Sequence, residues 1–138
     1  MQELMERTFD AKDEQLHEVI SFIEEGLEQH DAGMKEIMAV TVAVEEMFVN
    51  VAHYAYEGEE GYCTVSMRFT DNDVEITLKD KGIPFDPLAK EDPDINLSAE
   101  ERAIGGLGIY MVKNTMDDCS YVRDGDENIF TMKKTIRK

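Results

Sequence analysis

The chain has no tryptophan, three prolines and two cysteines among 138 residues. Cys63 and Cys119 lack C-x-x-C spacing and are joined by only three histidines, so neither a disulfide framework nor a zinc site is suggested. Positive charge is also scarce: 14 Lys and Arg stand against 31 Asp and Glu, a formal net charge of −17. Such a field repels phosphate backbones and anionic lipid surfaces, so neither nucleic acid nor a membrane is expected as a direct partner. A small polyanion is not excluded, because a divalent cation or the backbone N–H groups of a helix N-terminus act locally whatever the net charge. The N-terminus "MQELMERTFD" has no apolar segment, and no run approaches the roughly 20 apolar residues of a membrane span. These absences imply a cytoplasmic protein.

What is present describes an ordinary folded chain. Hydrophobic residues make up 42% and charged residues 33%, and the length suits one domain, residues 1–138, with a two-layer core. Residues 3–9, "ELMERTF", alternate loosely and predict an edge strand. From 11 to 29, Leu16, Val19, Ile20, Ile23 and Leu27 recur at helical spacing with an acidic opposite face, the pattern of an amphipathic surface helix. "HDAG" breaks it, with Asp31 as N-cap candidate for a second helix from about Met34 to Tyr56. That helix is apolar on nearly every side, which predicts packing on several sides.

"YCTVSMRFT" and "VEITLKD" read as a hairpin joined by "DND". Residues 81–104 hold all three prolines and little periodicity, a long loop of the functional or mobile kind, with capping-box spacing at Ser98 to Glu101. "GGLGIYMVKNTMDD" turns from glycines into a helical pattern, and the chain closes in a second hairpin around Asp124 to Glu127. The order β-α-α-β-β-loop-α-β-β implies an α+β two-layer sandwich: a mostly antiparallel sheet with three helices on one face.

Three constellations carry chemistry. In "VEEMFVNVAHYAY", at ~100° per residue, Glu46, Asn50 and His53 fall at about 0°, 40° and −20°, one narrow stripe on a greasy helix. An unpaired carboxylate is costly among apolar neighbours, so the stripe faces a wet or ligand-filled cavity unless loop backbone satisfies it. In "DKGIPFD" a strand ends on Asp80 and Gly82 follows. A carboxylate there can accept from an exocyclic amino group, and a residue without Cβ lets a flat ring approach; a plain D-x-G turn is the alternative. In "IGGLGIYMV", Gly105, Gly106 and Gly108 open a helix whose N–H groups and partial positive charge suit a phosphate. This last run matches neither the P-loop nor the Rossmann fingerprint.

E-x-x-x-N on a helix, then D-x-G after a strand, a proline-containing loop, and G-x-G at a helix start together resemble the ATP-binding domain of gyrase-type ATPases, heat-shock chaperones and histidine kinases. Within that superfamily the chain looks most like the anti-sigma-factor serine/threonine kinases. The resemblance implies a Bergerat-type ATP-binding fold with ATP and Mg2+ as cofactors. It gives Glu46 the role of general base and Asn50 that of magnesium ligand. It places Asp80 on the adenine amino group, Gly82 beside the ring, and Gly106 and Gly108 under the phosphates. Phe85, Leu107 and Ile109 join the ATP-binding set as neighbours of these motifs, and residues 87–104 become the ATP lid. His53 either lines the nucleotide pocket or stands at its rim.

The chain also departs from the family pattern. Pro84 replaces a frequent second glycine, the late threonine that often helps hold adenine has only Asn128 as its nearest match, and the basic residue for the γ-phosphate is Arg102 or, more remotely, Lys90. The partners implied are a sigma factor and an anti-anti-sigma protein of the STAS type, with a homodimer a further candidate. A non-catalytic, ATP-dependent protein-binding module is the alternative. A metallohydrolase built on Glu46 and His53 is disfavoured by the absence of H-E-x-x-H.

Overall fold

The computed structural model describes residues 3–56, 59–89 and 107–136. Its elements are β1 (Glu3–Asp10), α1 (Leu16–Gln29), α2 (Met34–Asn50), β2 (Tyr62–Phe69), β3 (Asp73–Asp80), α3 (Leu107–Thr115), β4 (Asp118–Asp124) and β5 (Glu127–Thr135). Short 3-10 turns at Asp13–Gln15 and Pro87–Ala89 lie before α1 and after β3, and a π-wound stretch, Val51–Ala55, prolongs α2. The element order matches the sequence expectation. Beyond Ala89, the expected lid and the Ser98 to Glu101 capping box lie outside the described residues.

All strand pairs are antiparallel, in the order β1-β2-β3-β5-β4. Because side chains alternate across a strand, the register sorts the sheet into rows. One row on the inner face runs Met5, Met67, Ile76, Met132, Cys119, and the next runs Arg7, Val65, Leu78, Phe130, Tyr121. The third row, nearest the β3–α3 connection, runs Phe9, Cys63, Asp80, Asn128, Arg123. Apolar rows thus give way to a polar one at a single end. The opposite face carries Thr8, Thr64, Thr77 and Thr131, whose hydroxyls pair across strands.

α2 packs against both α1 and α3, and α1 and α2 reach down to the sheet. Val19, Ile23, Gly26 and Leu27 of α1 and Ile37, Val40, Ala43, Val44, Met47 and Phe48 of α2 supply the buried stripes. Phe9 meets Phe22 and Phe48 edge-on at centroid distances of 5.9 and 6.5 Å, fastening β1 to both helices. The result is an α+β sandwich with its core between the helices and one sheet face.

Two sequence expectations change here. Asp31 does not cap α2: it takes φ 58° and closes α1, with Ala32 N–H donating to the Leu27 carbonyl and Asp31 N–H to that of Glu28, the Schellman pattern. Gly33 holds the N-cap position of α2 without a side-chain bond. α2 is packed on several sides as expected, against α1, α3 and the sheet, while Met34, Met38 and Val42, spaced four residues apart, are exposed on its outer side. Finally, Met34–Ala55 is long and apolar enough, by length and composition, to cross a membrane. Counting uninterrupted apolar residues misses it because Glu36, Glu45 and Glu46 divide the segment.

Phe48 is fully buried at the junction of β1, α1 and α2. Phe48→Ala is expected to lower unfolding free energy by about 3–5 kcal/mol in a urea titration, the usual range for removing a packed aromatic ring.

Candidate functional site

The polar end of the inner sheet face opens into a cavity of about 540 Å³, part of it continuous with solvent. Leu78 and Phe130 contribute from the sheet, Met47, Val51, Tyr54 and Ala55 from α2 and its π extension, and Ile83, Phe85 and Pro87 from the segment after β3. Its polar members are Asn50, Asp80, Tyr121 and Asn128. A slot with apolar walls and a few convergent polar groups is the usual form of a small-molecule site.

Asp80, 5% exposed, is the last residue of β3. Its Oδ1 accepts from Gly82 N–H at 2.9 Å and from Asn128 Nδ2 at 2.9 Å. Among the described residues Oδ2 has no donor. A buried carboxylate oxygen without one is expensive, so this atom marks where a ligand donor belongs.

The turn that follows is docked on the end of α2. Ile83 N–H donates to the Ala55 carbonyl at 2.8 Å, satisfying an acceptor that the helix end leaves free, and Arg123 Nη1 donates to the Gly82 carbonyl at 2.8 Å. A Cβ on Gly82 would strike the Ala55 carbonyl oxygen and carbon, which are backbone and cannot step aside. Gly82 lies outside the cavity lining, so the close approach that requires glycine there is helix to turn. Tyr56 braces the same turn: its hydroxyl donates to the Tyr62 carbonyl at 2.5 Å and accepts from Lys81 N–H at 2.9 Å. Burial raises the Tyr56 phenol above its ordinary pKa of 10.0 against the lowering effect of its backbone hydrogen bonds. The neighbouring Cys63 thiol is pushed up by burial and by Asp80, which leaves it inert.

Asn50 lines the cavity and Glu46 stands one helical turn earlier, half-buried and outside the lining. Neither side chain has a hydrogen bond or ion pair among the described residues, which leave out most of the loop after β3. His53 is elsewhere. Its Nε2 lies 2.8 and 2.9 Å from the two carboxylate oxygens of Asp13, in the 3-10 turn before α1, and it does not line the cavity. The wider i→i+5 winding that begins at Val51 advances each residue by less than an α-helix does, and this carries His53 off the stripe of Glu46 and Asn50.

Phe85 lines the cavity. Leu107, Gly108 and Ile109 form the first turn of α3, so the helix start is where the glycine run predicts. Arg102, Lys90 and Gly106 lie outside the described residues.

Tyr121 and Asn128 are the polar lining residues that motif reading undervalues. One signal was available: Asn128 shares the inward phase of Phe130 and Met132 in the closing hairpin, where an amide is out of place unless bonded.

An antiparallel sheet backed by three helices, with a buried aspartate and a helix-borne asparagine around one apolar slot, defines a class of nucleotide-binding α+β domains. Residues 9–134 match the model of the histidine kinase-like ATPase domain, and the chain belongs to that family. The serine-protein kinase RsbW of Listeria monocytogenes is 32% identical over 88 residues, 60% of this chain and 56% of that protein. RsbW of Bacillus cereus is 28% identical over 107 residues, 75% and 67% of the respective chains. The match thus spans little more than half to two thirds of these relatives' length.

Among solved structures, the RsbU and RsbW domains of Rv1364c from Mycobacterium tuberculosis superpose with a TM-score of 0.69 at 15% identity, over 97% of this chain and 32% of that one. The Acinetobacter baumannii histidine kinase AdeS gives 0.52 at 14% identity, over 99% and 70%. These likenesses establish the fold.

Gly82→Ala is expected to lower thermal stability by about 1–3 kcal/mol through overpacking against Ala55. Melting of the variant followed by circular dichroism measures it, and an unchanged midpoint would refute the helix-to-turn account.

Proposed function

We propose that the chain is an ATP-dependent serine/threonine protein kinase of the anti-sigma type, acting in the cytoplasm on an anti-anti-sigma partner of the STAS type and binding a sigma factor. One observation carries the nucleotide part of this reading. Among the described residues Asp80 offers a single oxygen without a donor at the end of an apolar slot, the arrangement that accepts the exocyclic amino group of a flat base while excluding a carbonyl in its place. Kinase activity is supported by the serine-protein kinase relatives and by Glu46 and Asn50 on one helix, neither of which has a hydrogen bond or ion pair among the described residues.

The chemistry follows from the residue types. The substrate serine loses its proton to the Glu46 carboxylate as its oxygen bonds to the γ-phosphorus, and the bond to the β-phosphate oxygen breaks to release ADP. Asn50, whose side-chain carbonyl lies beside the slot, is the residue suited to hold Mg2+, whose contribution when bound would be to neutralise charge on the phosphate oxygens. The first turn of α3 directs backbone N–H groups toward anionic phosphates. Lys90, Arg102, Gly106 and the remainder of the lid at 87–104 enter as expectations from the family pattern.

A second reading, a binding module whose partner choice follows nucleotide occupancy, is favoured by the position of Glu46 outside the cavity lining.

Glu46→Gln separates the two. With labelled ATP and a serine-bearing partner protein, the kinase reading expects retained ATP affinity and phosphotransfer reduced by about 10²-fold or more. Failure of the wild type to label any such partner favours the binding module. Asp80→Asn tests the base assignment: ATP affinity is expected to fall by about 10-fold or more relative to other nucleoside triphosphates. An unchanged ranking refutes the adenine reading.

A further inference from the structure

Asn128 lies opposite Asp80 on β3 and opposite Arg123 on β4. An asparagine amide has two donor hydrogens and two acceptor lone pairs, and here the protein takes all four. Nδ2 donates to Asp80 Oδ1 at 2.9 Å and to the Ile83 carbonyl at 2.7 Å. Oδ1 accepts from the Tyr121 hydroxyl at 2.5 Å and from Phe85 N–H at 3.3 Å. The side chain is 6% exposed. Although it lines the cavity, it has no hydrogen-bonding capacity left for a ligand.

Its bonds are nevertheless arranged around the ligand site. Together with Gly82 N–H, Asn128 saturates one oxygen of Asp80 and, among the described residues, leaves the other without a donor. Through Ile83 and Phe85 it also ties down the segment that walls the slot. The amide can be oriented only one way, since turning it over would set its oxygen against the Asp80 carboxylate and the Ile83 carbonyl. Tyr121 supplies the shorter of the two bonds to Oδ1 and holds the amide from the far side. Arg123, the nearest cation in the same row, is committed to the carbonyls of Gly82 and Gly125 and does not compete for Asp80.

We propose that Asn128, held by Tyr121, is a positioning residue for base selection: it fixes which Asp80 oxygen is presented, and so enforces preference for a ring bearing an exocyclic amino group. The proposal rests on the nucleotide reading above. Neither residue touches the base amino group in this account; both act through Asp80.

The test compares ADP with IDP, whose base carries a carbonyl where adenine has the amino group, by titration calorimetry on the full chain. The wild type is expected to prefer ADP by ~10-fold or more. Asn128→Ser, which cannot span Asp80, Ile83 and Tyr121 at once, is expected to bring the preference within about twofold, chiefly by weakening ADP. Tyr121→Phe keeps the ring and removes one bond, and is expected to reduce the preference roughly threefold. A merely structural role would weaken both ligands by the same factor, and that result, or an unchanged ratio in both variants, overturns the proposal. If Asn128→Ser does not fold, Tyr121→Phe decides alone by the same ratio. A wild type that binds neither ligand, or both equally, refutes the nucleotide reading itself, and is recognised before any variant is made.

Discussion

The cavity depends on one constraint: a carboxylate kept at the end of an otherwise apolar sheet face. Burying Asp80 requires donors, and the fold supplies two of them to the same oxygen, one from the turn two residues on and one from the strand alongside. Everything that lines the slot is linked to that choice. The turn must be tight enough for Gly82 N–H to reach back, and the tightness presses Gly82 against Ala55 and excludes a side chain. Asn128 must lie on the inward phase of β5, which determines the register of the closing hairpin.

The π winding after Asn50 has a comparable linking role. It ends α2 in a wider turn that sets the Ala55 carbonyl under Ile83 N–H and brings Val51, Tyr54 and Ala55 to the slot. The same rotation turns His53 off that stripe, and Asp13 meets it in a half-exposed pair. Pairs of that kind contribute little to stability. Of three polar residues on one apparent stripe, Asn50 lines the cavity, Glu46 stands outside its lining and His53 makes a surface contact, and the departure of His53 is a matter of helix geometry.

Much of the architecture was legible because it rests on periodicity. Alternation in "YCTVSMRFT" and "VEITLKD" and the helical spacing of Val19, Ile23 and Leu27 reflect which face is buried, and burial is local to each element. The features that were not legible depend on contacts between elements. Asp31 has the composition of a helix start and serves as a helix stop, because the Schellman bonds depend on where α1 runs out. The contact of Gly82 with Ala55 joins a turn to a helix end that no motif links. Asn128 gains its meaning only beside Asp80, Tyr121 and Phe85, residues that no motif joins. Asp80 and Asn50 line the cavity because strand end and helix face suffice to place them there.

The sheet is also divided in a way that bears on folding. Its centre is a seam between β3 and β5, and Asp80 and Asn128 face each other across it although 48 residues separate them in sequence. On either side, β2–β3 and β4–β5 are hairpins that close locally. Local hairpins form early and distant pairings late, since a long loop must be ordered before its contacts stabilise anything. The slot spans that seam, so it is among the last features to exist, and any molecule bound there bridges the two hairpins and adds its binding energy to their union. Occupancy of the site therefore stabilises the completed sheet.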